Sequence, residues 1–290
     1  MKKSFLILGH VPNIYKNNNS DFLGLGDGIR LILIANSITK NDISVDLCVN
    51  IQIREFLSNE LLIKYSKVRN ILVWEDLGKI DLSEYNKIIY VDEPSLFEKI
   101  KTDFGLPISV FKFENNLNFK ELTFDLSSSL ANAFELEFHP QKIHINTLKS
   151  TYRRIGLNYK VPAKWANKSP SLDFWKDLYE ILCHKGYNVS WQKGENNFDE
   201  YINWVYNQDL IITPNSLCLH LAMLFNIGIF LILGPTSCEE VQWLPNSIVY
   251  QPIHCGNFPC YKPVCPIGKD CFEHLDIREV ASSVERRFNV

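Results

Sequence analysis

The sequence predicts an α/β protein built on parallel, doubly wound sheets and divided into two domains. Three observations carry this. Short apolar runs alternate with segments of helical period, the order that sets parallel strands between crossover helices. Polar or glycine-rich turns follow several of these runs directly, as at Gly9, Asn215-Ser216 and Gly234. The length, 290 residues, suits two domains at roughly 100–200 residues each.

Residues 5–8 form an apolar run closed by Gly9, as a first buried parallel strand would be. A polar loop leads to Leu23-Gly24-Leu25-Gly26-Asp27-Gly28 and into a mostly buried helix over 29–38. Residues 45–49 read as a strand and 51–62 as a helix. Residues 71–74 and 87–91 read as strands, the latter closed by Asp92-Glu93-Pro94. Residues 111–136 show no clean period, 142–145 fit a strand, and 151–157 fit a short helix. The domain boundary is expected near residue 140, giving domains over 1–140 and 141–290.

The second domain is patterned more sharply. Residues 171–185 make an amphipathic helix with Leu172, Trp175, Leu178, Tyr179 and Leu182 on one face, and Gly186 sits at its C-cap. A strand at 189–191, a helix at 198–205 and a strand at 210–213 follow. Asn215-Ser216, both good N-cap residues, open a helix over 217–225. A buried strand over 227–233 ends in Gly234-Pro235-Thr236-Ser237, and Ser237 to Glu240 has capping-box spacing for one more helix.

The net charge of -3 argues against a general nucleic-acid binder. No apolar run approaches the ~18 residues that span a bilayer. The run after Met1-Lys2-Lys3 is broken by Gly9-His10 too early for a signal peptide. The chain reads as cytoplasmic, with peripheral membrane contact left open.

The strongest candidate site runs from Asp209 to Glu240. Two turns there lie at carboxyl ends of parallel strands, where α/β folds bind ligands. Each opens a helix whose N-terminal N–H groups suit a diphosphate. Thr236 and Ser237 add hydroxyls, and His220, one turn inside its helix, is in reach of a ribose or phosphate. The same serines also read as plain helix caps, and His220 as a half-buried histidine. In the glycine-rich segment, Asp27 stands at a helix start. It reads either as a cap or as a carboxylate that takes a proton from a hydroxyl. Lys164, before a helix, suits a phosphate as a point charge, and Glu195 suits a ribose. Such a lysine is usually just solvated, and Glu195 fits an ordinary turn equally.

Cys255, Cys260, Cys265 and Cys271 form a C-x4-C-x4-C-x5-C cluster in a loop stiffened by Pro259, Pro263 and Pro266. Four thiolates suit tetrahedral zinc or iron, with His254 and His274 as spare ligands. Packed reduced thiols or one labile disulfide are the alternatives.

Together these features resemble glycosyltransferase family 9, the heptosyltransferases of lipopolysaccharide assembly, in the GT-B superfamily of two facing Rossmann-like domains. Leu25-Gly26-Asp27-Gly28 looks like the family's N-terminal Gly-Asp motif, and Lys164-Trp165 with Phe174-Trp175 looks like its Lys/Trp element. Asn215-Ser216-Leu217-Cys218-Leu219-His220-Leu221-Ala222 is similar to its Asp-Ser/Thr-Gly-x-x-His-Leu-Ala motif, and Gly234-Pro235-Thr236 to its Gly-Pro-Thr. The cysteine segment 255–271 looks like that of the heptosyltransferase II branch.

The chain is short for the family, which implies a shortened N-terminal, acceptor-side domain. Asn215 stands where the family has aspartate and Leu217 where it has glycine. The resemblance implies an inverting transfer from ADP-heptose or another nucleotide-diphosphate sugar to a glycan, lipid-linked or protein acceptor, cytoplasmic or peripheral at the inner membrane. It makes Asp27 the base, and it places Gly26, Gly28, Lys164, Glu195, Asn215, Ser216, His220 and Gly234 to Ser237 around the donor. No Asp-x-Asp motif is visible, so no catalytic divalent ion is expected, and a metal at the cysteines would be structural. A nucleotide-sugar epimerase or hydrolase of the same fold, or a degenerate sugar-nucleotide-binding protein, are the competing expectations.

Overall fold

The computed structural model describes residues 3–9, 24–38, 43–91, 99, 102–103, 154–192, 197–236, 247–251 and 255–288. The chain divides into two compact units, Met1–Gln141 and Lys142–Val290.

The first unit holds β1 (Lys3–Gly9), α1 (Leu25–Ile38), β2 (Ile43–Val49), α2 (Ile51–Leu57), α3 (Glu60–Tyr65), β3 (Asn70–Val73) and β4 (Lys87–Val91). Its four described strands run parallel in the order β3-β2-β1-β4. Leu6, Leu8, Cys48, Trp74, Leu77, Ile88 and Tyr90 form a core cluster on this sheet. Burying each such side chain fully is worth about 1.5–3 kcal/mol. The Trp74 indole N–H donates to the Gly9 carbonyl at 3.0 Å and satisfies the end of β1.

The single helix expected over 51–62 is two. Asn50 caps α2 through the Ile53 N–H, the chain breaks at Ser58, and Asn59 caps α3 through Leu61 and Leu62. A second capping asparagine outcompetes continued helix because its side-chain oxygen supplies an acceptor for the N–H groups of the next turn.

The second unit holds β5 (Arg154–Leu157), α4 (Leu172–His184), β6 (Asn188–Trp191), α5 (Phe198–Tyr206), β7 (Leu210–Pro214), α6 (Leu217–Leu224), β8 (Gly228–Ile232), β9 (Ile248–Tyr250) and α7 (Ile277–Phe288). Its strands are all parallel, in the order β6-β5-β7-β8-β9. Of the short helix expected over 151–157, the described residues 154–157 are instead the strand β5, between β6 and β7. Four residues are too few to show a period. Gly156 suits this position because a Cβ there would stand 2.6 Å from Ile211 Cδ1 and 3.0 Å from Trp204. Strand β9 and helix α7 carry no reading in the sequence. Helix α7 lays Val280, Ala281 and Val284 on the core with Trp175, Leu178 and Leu182 of α4. The expected strand over 142–145, the unpatterned stretch 111–136 and the capping box at Ser237–Glu240 lie outside the described residues.

Candidate functional site

Strands β7 and β8 pair in parallel register from Leu210↔Gly228 to Pro214↔Ile232. Their carboxyl ends therefore finish side by side, and the turns that follow them meet. The Asn215 side-chain amide donates to the Thr236 hydroxyl at 3.4 Å. Thr236 is buried, with 3% of its surface exposed, although it belongs to no strand or helix.

Ser216 occupies the N-cap position of α6, but its hydroxyl makes no capping bond. This corrects the reading of Ser216 as a plain cap. The hydroxyl instead accepts from Asn158 Nδ2 at 3.0 Å and lies 3.2 Å from Thr213 Oγ1. Asn158, at the end of β5, is buried to 1%. Its amide also donates to Thr213 Oγ1 at 2.9 Å, and its carbonyl oxygen accepts from Tyr201 Oη at 3.2 Å. The network joins β5, β7, α5 and the start of α6. Its consequence is that the Ser216 hydroxyl does not cap α6, whose start, like other helix N-termini, carries the positive end of a dipole toward an anion. His220 is buried, one turn inside α6.

Gly234 is forced by packing. A Cβ there would stand 2.4 Å from the Asn167 carbonyl oxygen, 3.1 Å from Phe272 and 3.2 Å from Lys168 Cα. The 3-10 turn Ala163–Lys168 therefore lies against the Gly234 backbone. Lys164, the lysine singled out in the sequence, is exposed at the other end of that turn. The residues against Gly234 are Asn167 and Lys168, and the Lys168 ammonium sits 4.6 Å from the Trp165 ring centroid. Sequence reasoning missed Asn158, Asn167 and Lys168. Only a correct strand over 154–157 would have put Asn158 at a strand's carboxyl end, where ligand sites gather. Asn215, Ser216, His220, Gly234, Pro235 and Thr236 are thus brought to one end of one sheet, while Glu195 and Ser237 lie outside the described residues.

In the first unit, Asp27 sits in the first turn of α1. The Gly24 carbonyl accepts from the Asp27 and Gly28 N–H groups at 3.0 and 3.3 Å. Asp27 Oδ2 accepts from the Gly24 N–H at 2.9 Å, and Oδ1 pairs with Arg30 Nη1 at 3.1 Å. This is the acidic half of a capping box. The Asp27 side chain keeps 27% exposure. Gly26 is half-buried and Gly28 buried beside it.

The cysteines Cys255, Cys260, Cys265 and Cys271 are all reduced and half-buried. The Cys255 carbonyl accepts from the Phe258 N–H at 2.9 Å and the Cys265 carbonyl from Gly268 at 3.3 Å, and Cys265 Sγ accepts from the Lys269 N–H at 3.3 Å. Burial, then the nearby Cys260, Cys265 and Cys255, push the Cys271 thiol up to about 11. Among the described residues, however, no three His, Cys, Asp or Glu side chains form a group placed to hold a metal ion. Donor chemistry carries the metal expectation, and ligating geometry does not.

No helix of the described residues is long and apolar enough to cross a membrane. No family model and no curated protein matches the chain. Solved structures do. A family 9 glycosyltransferase from Veillonella parvula matches with a TM-score of 0.64 at 12% identity, over 99% of this chain and 97% of that one. The heptosyltransferase TibC of enterotoxigenic E. coli, described as dodecameric and iron-containing and seen with ADP-D-beta-D-heptose, matches with a TM-score of 0.62 at 13% identity, over 98% of this chain and 77% of that one. The E. coli heptosyltransferase WaaC with ADP-2-deoxy-2-fluoro heptose matches with a TM-score of 0.57 at 10% identity, over 98% and 99%. The fold of this chain is the α/β fold of these glycosyltransferases.

Proposed function

We propose that this chain is an inverting glycosyltransferase of the heptosyltransferase kind. It moves heptose or a related sugar from a nucleotide-diphosphate donor to an acceptor hydroxyl in lipopolysaccharide or other glycoconjugate synthesis. The observation that carries the reading is the paired ends of β7 and β8, where the start of α6 at Ser216 meets the buried Gly234-Pro235-Thr236 turn.

In this mechanism the diphosphate lies on the N-terminus of α6. The N–H groups and dipole of that helix stabilise the charge that grows on the leaving diphosphate, and they need no reorganisation at the moment of reaction. Lys164, on the turn whose far end lies against Gly234, adds a point charge to the diphosphate. Asp27 takes the proton of the acceptor hydroxyl, and the freed oxygen attacks the anomeric carbon from the face opposite the diphosphate. The Gly24 N–H and Arg30 hold that carboxylate in place. The four cysteines are assigned to a structural zinc or iron, which would cross-link their loop and take no part in the transfer. The cytoplasm, or the inner face of a membrane, is where the donor reading puts the protein.

One feature favours a second reading, a sugar-nucleotide-binding protein without transfer activity: both Asp27 oxygens are engaged by local partners, the Gly24 N–H and Arg30. A thermal-shift panel of nucleoside diphosphates tests the donor site. A ligand at 100 times its Kd should add about 2.7 kcal/mol. No shift with ADP, GDP, UDP or CDP would sink the donor site. Donor binding without transfer to any acceptor hydroxyl would leave the second reading.

A further inference from the structure

The cysteine loop does more than pack on the surface of its domain. The Pro235 carbonyl accepts from two consecutive N–H groups, those of Cys260 and Tyr261, each at 3.1 Å. Tyr261 takes φ +49°, a left-handed conformation that a non-glycine residue adopts at a cost, and both N–H groups meet one oxygen there. The next residue along, Lys262, accepts at its carbonyl from Asn167 Nδ2 at 2.7 Å. At the loop's far end Phe272, the neighbour of Cys271, comes within 3.1 Å of the Cβ position of Gly234. The loop thus grips the Gly234-Pro235-Thr236 turn at Pro235, faces Gly234, and ties down Asn167, whose own carbonyl faces the same glycine.

Cys260 joins the two roles. It is one of the four clustered cysteines, and its N–H holds Pro235. From Pro235 the contacts continue through Thr236 to Asn215, beside the start of α6.

We propose that the loop over 255–271 is a working wall of the diphosphate subsite, and that the cysteine cluster sets the position of the Gly234–Thr236 turn through the Cys260 and Tyr261 N–H groups. The proposal rests on the donor reading above. It assigns the cluster a specific part in binding the diphosphate, beyond general stabilisation of the fold.

The test uses the full chain and two variants. Cys265→Ser alters the cluster at a residue that makes no bond to the turn, and Asn167→Ala cuts only the tether to Lys262. Calorimetry measures affinity for the nucleoside diphosphate that the wild type binds best, and for its parent nucleoside. Both variants are expected to lose about tenfold or more for the diphosphate and to stay within about twofold for the nucleoside. Hydrogen exchange should show faster exchange at the Gly234 and Thr236 amides in each. Unchanged diphosphate affinity would overturn the proposal. So would equal losses for nucleoside and diphosphate, which mark general destabilisation. If Cys265→Ser does not fold, Asn167→Ala decides alone. A wild type that binds no nucleoside diphosphate would overturn the donor reading itself, and this inference with it.

Discussion

The Asn158 amide donates to the Ser216 hydroxyl at 3.0 Å across 58 residues of chain, and that bond takes the serine at the start of α6 away from capping α6. A hydroxyl has few ways to bond at once, and here they point to Asn158 and Thr213. Removing Asn158 should act twice. Asn158→Ala leaves the Tyr201, Thr213 and Ser216 hydroxyls short of a buried partner, for a loss of about 2 kcal/mol and a melting temperature lower by several degrees. It also frees Ser216 to cap its own helix, so nucleotide affinity should fall as well. Thermal unfolding and calorimetry on one sample read both, and a variant as stable as wild type would remove the network from the account.

Asp27 separates cap from base. Asp27→Asn keeps an oxygen for the Gly24 N–H but has no carboxylate to take a proton. Transfer should fall by about 100-fold to 10,000-fold, the range of general-base catalysis, while donor affinity and melting temperature stay near wild type. An Asn variant that still transfers sugar at the wild-type rate would return Asp27 to a purely structural place.

Gly234→Ala drives a methyl group to within 2.4 Å of the Asn167 carbonyl oxygen. Backbone on backbone leaves no flexible side chain to yield. The expected loss is about 1–3 kcal/mol with greatly weakened nucleotide binding, read by denaturant unfolding and thermal shift. Normal stability would show that the turn moves freely.

Asp46 is a control in the other unit. Its buried carboxylate accepts from Arg69 at 2.6 and 3.0 Å, from Tyr85 at 2.6 Å and from Asn70 at 3.2 Å. Asp46→Ala should cost about 3 kcal/mol, because the partners are left with no acceptor. Affinity for the nucleoside diphosphate should be unchanged wherever the protein is folded, and a parallel loss of affinity would mean that the nucleotide also needs the first unit.

Elemental analysis of protein purified without added metal addresses the cysteines. About one zinc or iron per chain is expected, lost under strong chelation together with protection of the loop amides. A folded sample with far less metal would leave Cys255, Cys260, Cys265 and Cys271 as packed thiols.

The sequence by itself determined the parallel α/β class, most of the strands and the two turns after β7 and β8. These rest on local signals: runs of apolar residues, an amphipathic face on α4, glycine and capping residues at element ends. Local patterns are legible because a helix or strand repeats every few residues and writes its burial into that repeat. The tertiary structure alone decided that residues 154–157 are a strand, since so short a run has no period and only its neighbours β6 and β7 make it one. It alone decided that Ser216 does not cap, that the backbone of Asn167 and Lys168 stands against Gly234, and that the cysteine loop holds Pro235. Each of these is a contact between segments tens of residues apart. A single side chain has more potential partners than bonds it can make, and the folded chain chooses among them.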